Sequence, residues 1–508
     1  MFDNQIDLNL KYSDVRTSQA LEAIFVEADK ICSNSVHTVA SLLNFESEML
    51  LNPGSKPRTI EHLILKAAIS RLHILQIQDP LHLEMIVPVY HEKIRLAPRQ
   101  GSTVTLGVNT LPVDINGEDS LLRKYKELEW LTRDSKVTFK LRYVDDICDH
   151  ESGKYVEQLI ADNNLSEHVE VHFLGDALSE QKTESLRYKA IETIIKKNES
   201  IRGGALCLGF AEALIDAENA GNLDKTIIGY VDADSSYSMT MAGIPLNEML
   251  SNPNIKVMTA SRQHELTYIE PAKATSQTSH RTQGLIRLKQ IVGFLRKSTL
   301  QPTVPADTQS GYKFFRPLVL KETLEAPGKA HNFSYDTQLL DRVARNHPSE
   351  EAITTFGVVL VDCDELTTAN NGMTYFAALQ ILLDIAKEVG LEETGYKFWL
   401  LKYLTSSKET YKFVISLLED TTNPALYISE DLEEHKMLLS IRQKIRTNRD
   451  TTAVGDYFTE DIGEDLYRVL TWVEKNAVEE GHQSMDTSST HVPTNNLFLM
   501  STAISGAS

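Results

Sequence analysis

A short apolar run that ends on two carboxylates constrains this chain more than any other stretch. Ile227-Ile228-Gly229-Tyr230-Val231 carries no charge, as a strand buried on both faces requires, and runs directly into Asp232-Ala233-Asp234 and a polar turn. Ligands in open α/β sheets sit at the carboxyl ends of the strands. Two carboxylates so placed suit a hard divalent cation that keeps other positions for water and phosphate. Asp and Ser also end strands as ordinary turn residues, so the pattern gains weight only from its company along the chain.

That company is a series of similar segments. EMIVPVYHE ends in Tyr90-His91-Glu92, and Val137 to Val144 ends in Asp145-Asp146-Ile147-Cys148-Asp149. Val169 to Leu174, Ile255 to Ala260 (followed by Ser261-Arg262) and Ile353 to Val361 continue it. Helix-like segments lie between, among them Ser120 to Leu131 and the apolar stretch opened by Arg202-Gly203-Gly204. The alternation predicts an α/β fold with a mostly parallel sheet flanked by helices. Asp145 and Asp146 could accept an N–H from a uracil or guanine, or simply form the turn. Arg202-Gly203-Gly204 could admit a phosphate to a helix amino terminus, or be a glycine turn. Asp307-Thr308-Gln309-Ser310-Gly311 is a polar turn before the short buried segment Tyr312 to Phe315, and Asp336 sits where an N-cap or first-turn acid would.

The flanks are helical in pattern. Residues 1–80 read as a helical amino-terminal subdomain, 81–364 as the α/β domain, 365–480 as a helical carboxy-terminal domain and 481–508 as a flexible tail containing a docking-like Leu497-Phe498-Leu499-Met500. A net charge of −20 argues against nucleic acid or an anionic membrane as partner. Four scattered cysteines suggest a reducing compartment, and no run has signal-peptide or membrane-span character. A soluble, cytoplasmic protein is the expectation.

Taken in order, IVPVYHE, YVDDICD, RGGALCLGF, YVDADSSYS, TASR, DTQSGYKFF and FSYDTQLL resemble the GT-A glycosyltransferases of the family-2 type, most of all the dolichyl-phosphate glucosyltransferase and polyprenyl-phosphate glycosyltransferase branch. The resemblance spans roughly residues 83–362. It implies a Rossmann-like GT-A fold and transfer of a sugar, glucose or another hexose, from a UDP- or GDP-linked donor, with inversion. It also implies Mn²⁺ or Mg²⁺ on Asp232 and Asp234, with His331 as a further ligand. Pro88, Tyr90, Glu92, Asp145, Asp146, Arg202, Gly203, Asp232 and Arg262 fall at nucleotide-sugar positions, Gln309 and Gly311 in the acceptor-side loop, and Asp336 or Asp307 at the position of the base. The acceptor stays open among a small molecule, a glycan, a lipid phosphate and a protein. The missing hydrophobic anchor speaks against a polyprenyl phosphate. Two other readings stand beside this one: a catalytically inactive binding protein on the same fold, and a sugar nucleotidyltransferase. PVYHEKIRLAPR lacks the glycine-rich loop that the latter needs.

Overall fold

The computed structural model describes residues 17–51, 59–98, 104–108, 111–115, 117–179, 185–197, 202–269, 283–326, 335–361, 371–391, 395–418, 433–447 and 459–483. His331 and the segment Leu497 to Met500 lie outside them. The chain divides into two compact units, Met1–Lys273 with Gln301–Thr368, and Ala274–Leu300 with Ala369–Ser508.

The first unit is built on strands β1 (Leu81–Val89), β2 (Val104–Val108), β3 (Leu111–Ile115), β4 (Val137–Asp145), β5 (Val169–Phe173), β6 (Thr226–Val231), β7 (Val257–Ala260), β8 (Tyr268–Ile269), β9 (Tyr312–Phe315), β10 (Ile353–Phe356) and β11 (Val359–Leu360). Seven form one sheet in the order β10-β7-β9-β6-β1-β4-β5. All its pairings are parallel except those of β9, which runs antiparallel to both β6 and β7. After β5 the chain returns to the far side of β1 to lay down β6. This reversal makes the carboxyl ends of β1, β4 and β6 the crevice where an α/β sheet binds ligands.

Strand periodicity sorts the side chains into two cores. On one face Leu83, Met85, Val87, Phe139, Leu141, Tyr143 and Ile227 pack with the helices Ser18–Ser33, Thr59–Gln76 and Ser120–Thr132. On the other, Ile86, Val144, Ile228 and Tyr230 pack with Gly203–Asn219, Pro317–Glu325 and Tyr335–Asn346. The α/β architecture expected from the sequence is present: a mostly parallel sheet with helices on both faces.

Several boundaries differ from the sequence reading, each for a physical reason. The amino-terminal helices share the core of the sheet instead of forming a subdomain of their own. The helix Thr59–Gln76 is buried nearly all round, and Gly243 presses so close that a Cβ there would lie 2.2 Å from the Ser70 carbonyl oxygen. The stretch between β1 and β4 holds the antiparallel β2–β3 hairpin, in register Val104 with Ile115. The last predicted strand breaks at Gly357, where a Cβ would meet the Leu266 carbonyl at 2.5 Å, leaving β10 and β11 in different sheets.

The described part of the second unit is helical: Gln283–Thr299, Asn371–Glu388, Tyr396–Leu404, Lys408–Leu418, Glu433–Thr447 and Glu460–Gln483. The helix Gln283–Thr299 therefore belongs with the carboxy-terminal helices. Its Ile291, Phe294 and Leu295 are buried, as are Leu379, Leu382, Leu401, Val414, Leu466 and Leu470. No helix among the described residues is long and apolar enough to cross a membrane.

Candidate active site

The Asp-x-Asp turn emerges from β6 at the crevice. Asp232 is about a third exposed, and its Oδ1 lies 2.6 Å from the Arg202 guanidinium. Its backbone N–H donates to the Gly311 carbonyl at 3.0 Å. Burial raises the Asp232 carboxyl above its usual range; Arg202 opposes the shift and Asp234 adds to it. Asp234 caps its own turn, its Oδ1 accepting the Ser236 N–H at 3.0 Å.

Three buried charged groups hold this turn from one side. Lys124 Nζ donates to the Asp234 carbonyl at 2.5 Å, Glu118 accepts the Ser235 N–H at 2.9 Å and Glu127 accepts the Met239 N–H at 2.7 Å. Each ends in backbone atoms of the turn, so together they fix its path. Burial lowers the Lys124 pKa, against the pull of Asp234 and Glu127. Hydrogen bonds to charged groups inside a protein are worth about 1.5–3 kcal/mol each.

Arg202 occupies the residue before the helix Gly203–Asn219, with φ 64°, outside the conformations an arginine prefers. Its backbone N–H donates to Asp146 Oδ2 at 2.5 Å, and its carbonyl accepts the Leu206 N–H at 3.0 Å. The guanidinium bridges two carboxylates, Asp232 and Asp336, reaching Asp336 Oδ2 at 3.0 Å. Gly203 and Gly204 are buried behind it.

Asp336 is almost fully buried in the first turn of the helix Tyr335–Asn346. Lys313 Nζ reaches its Oδ1 at 3.2 Å. Burial pushes the Asp336 carboxyl up to about 6, with Arg202 pulling the other way. Lys313 has no exposed surface; it also donates to the Tyr230 hydroxyl at 2.7 Å and to the Ser310 carbonyl, and burial holds its amine well below the usual lysine range.

The remaining candidates fall around this cluster. Both Asp307 oxygens are clamped by Arg262, whose Nη2 lies 2.6 Å from Oδ1 and whose Nε lies 2.9 Å from Oδ2. Burial alone would raise the Asp307 carboxyl, but Arg262 holds it below its usual value. Gln309 donates to Thr337 at 3.0 Å. Glu92 is forked by Arg95 at 2.7 and 2.8 Å. Tyr90 is exposed at the end of β1, and Pro88 is buried inside that strand. Asp145 has another occupation: its two oxygens accept the N–H groups of Cys148 (2.9 Å) and Gly153 (2.8 Å). These two bonds shape the turn after β4.

Lys124, Glu118, Glu127 and Lys313 were not picked out from the sequence. The signal for Lys313 was present in a charge set between the aromatics of YKFF, since a lysine inside a strand core must have partners.

The donor set fits a divalent cation. Asp232 and Asp234 supply hard oxygens at one turn, and Gly311 leaves the space beside Asp232 that any Cβ would fill, at 1.8 Å from Oδ2.

The sequence matches no protein-family model, and no curated protein matches it. Among solved structures it is similar to mannosyl-3-phosphoglycerate synthase from Rubrobacter xylanophilus, with 10% identity over 62% of this chain and 77% of that one, at a TM-score of 0.36. It is also similar to mouse xyloside xylosyltransferase 1 in its apo form, with 11% identity over 55% of this chain and 85% of that one, at a TM-score of 0.26. The fold assignment rests on the sheet described above.

Proposed function

We propose that this chain is a metal-dependent glycosyltransferase that moves a hexose from a nucleoside-diphosphate donor, with inversion at the anomeric carbon. The observation that carries the reading is the Arg202 bridge, one guanidinium joining the Asp-x-Asp turn at the carboxyl end of β6 to the buried Asp336. Asp232 and Asp234 would hold Mn²⁺ or Mg²⁺, which supplies Lewis-acid stabilisation of the departing diphosphate.

The chain's own residues do the rest. Arg202 neutralises Asp232 in the structure; turned toward the donor, the same guanidinium stabilises charge on the phosphates. Tyr90 offers an exposed ring for the base, and Asp146 keeps Arg202 in register through its backbone. Of the two carboxylates considered as base, Asp336 is better suited. Its carboxyl, at about 6, can take a proton near neutrality, whereas Arg262 makes Asp307 a weak base. As Arg202 turns to the donor it also uncovers Asp336 Oδ2. Asp307 then acts through Arg262, and Gln309 through Thr337, to shape the acceptor side.

A non-catalytic binding protein draws on the same cluster, in which Arg202, Arg262 and Lys313 pair the carboxylates. Donor hydrolysis separates the two. The wild type and Asp234→Ala are incubated with a panel of UDP- and GDP-hexoses and Mn²⁺. Metal-dependent release of UDP or GDP, lost in the variant, supports the transferase; no release and no nucleotide binding with any donor supports the alternative. Once an acceptor is found, NMR of the product anomer tests inversion.

A further inference from the structure

At the rim of the crevice, on the ends of β1 and β4, a second group of side chains converges. His91, Cys148 and Asp149 each present one ligand atom, and these three atoms lie within 4.8 Å of one another. His91 Nε2 is 2.5 Å from Asp149 Oδ1, and the His91 backbone N–H donates to Cys148 Sγ at 3.2 Å. We propose that His91, Cys148 and Asp149 form a binding site for a borderline-soft divalent cation of the Zn²⁺ type, separate from Asp232 and Asp234.

The chemistry of the donors selects the metal. Imidazole nitrogen with thiolate sulfur suits Zn²⁺ and Co²⁺, whereas Mg²⁺ and Mn²⁺ favour oxygen. With bonds of about 2.0–2.3 Å, tetrahedral ligands stand about 3.4 Å apart, within small side-chain movements of the observed cluster. The close His91–Asp149 contact is made through a proton, which a cation would replace, and the Cys148 thiol would release its own proton to water on binding.

The surroundings are those of a prepared site. Tyr90 and His150 stack on the His91 ring at centroid distances of 4.0 and 3.9 Å, and because both are stacked they occupy opposite faces and fix its plane. Ser152 Oγ lies 3.3 Å from Cys148 Sγ and accepts the Glu92 N–H at 2.9 Å, leaving its hydroxyl to support a thiolate. His91 and Ile147 each have φ 59°, so both strand ends turn back sharply and bring these side chains together. Three protein ligands leave a fourth position open to water or to a donor group.

Cobalt reports on such a site directly. The full chain is stripped with a chelator and titrated with Co²⁺. The expected result is one equivalent that gives visible ligand-field bands of tetrahedral intensity and a near-ultraviolet sulfur-to-cobalt charge-transfer band, bleached by Zn²⁺ and not by Mg²⁺, beside any Co²⁺ taken up by the oxygens of Asp232 and Asp234 without a sulfur band. Cys148→Ser should abolish the charge-transfer band, while Cys32→Ser and Asp234→Asn keep it. Asp149→Asn, at an exposed position that little of the fold depends on, should weaken Co²⁺ binding at least tenfold, as His91→Ala should. Absence of the charge-transfer band in the wild type, its persistence in Cys148→Ser, or unchanged affinity in a folded Asp149→Asn would each overturn the proposal.

Discussion

Gly311 and Asp232 are in contact through a missing atom: a Cβ on Gly311 would stand 1.8 Å from Asp232 Oδ2, while the Gly311 carbonyl accepts the Asp232 N–H at 3.0 Å. The backbone bond brings the two residues together, and the absent side chain leaves the carboxylate its place. Gly311→Ala should therefore displace the Asp232 carboxylate without disturbing the sheet. Donor hydrolysis is expected to fall at least a hundredfold, with the urea midpoint close to wild type. A variant with full activity would show that Asp232 is not needed where it stands.

Arg202 spans two carboxylates with one planar group, which a lysine cannot do. Arg202→Lys should keep the fold and lose at least tenfold in kcat for donor hydrolysis. The loss should be larger than that of Arg262→Lys, where the native guanidinium clamps the carboxylate of Asp307. Steady-state kinetics on the two variants decides the order.

The raised pKa of Asp336 makes two pH predictions of opposite sense. For stability, the folded chain holds this proton more tightly than the unfolded one. The contribution of Asp336 is thus fully present below about 3.8 and is lost as pH rises through about 6. For activity, the carboxylate is the working form, so turnover should fall below about pH 6, and Asp336→Asn should abolish that acid limb along with most of the activity. A kcat–pH profile compared with urea unfolding at several pH values separates the two effects.

Much of this arrangement was legible in the residues. The uncharged run before Asp232 and the alternating helices predicted a parallel sheet, because only burial on both faces tolerates such strands. What stayed hidden depends on partners far apart in the chain. The role of Lys124 lies in a carbonyl more than a hundred residues away, and that of Lys313 in Tyr230 and Asp336. No local pattern reports such a pairing. The β2–β3 hairpin was within reach, since Val104-Thr105-Leu106-Gly107-Val108 alternates as a strand does. Asp145 shows the converse limit. Its place at a strand end was read correctly, and the two backbone donors that take its oxygens appear only in the fold.

Lys124 offers a test of the loop support. Lys124→Met keeps the bulk of the side chain and removes the bond to the Asp234 carbonyl. The expected cost is about 1–3 kcal/mol in urea unfolding, with a drop in donor hydrolysis larger than that loss of folded protein explains.

Gly243→Ala addresses the shared core of the amino-terminal helices and the sheet. Its Cβ would meet backbone, the Ser70 carbonyl, which cannot swing aside as a side-chain tip can. A loss of about 3 kcal/mol is expected, read as a shifted urea midpoint.

The reversed direction of β9 has a consequence for how this molecule can change. Its antiparallel neighbour β6 delivers residues to the crevice as it leaves the sheet, whereas β9 delivers Asp307 to Gly311 as it enters. Residues 307–309 can therefore be exchanged without shifting the register of any strand that follows, provided that Gly311 keeps its carbonyl on the Asp232 N–H and its bare Cα beside the carboxylate. Under the proposed function, that is where acceptor selectivity would diversify, by graft or insertion, while the carboxylate turn after β6 stays as it is.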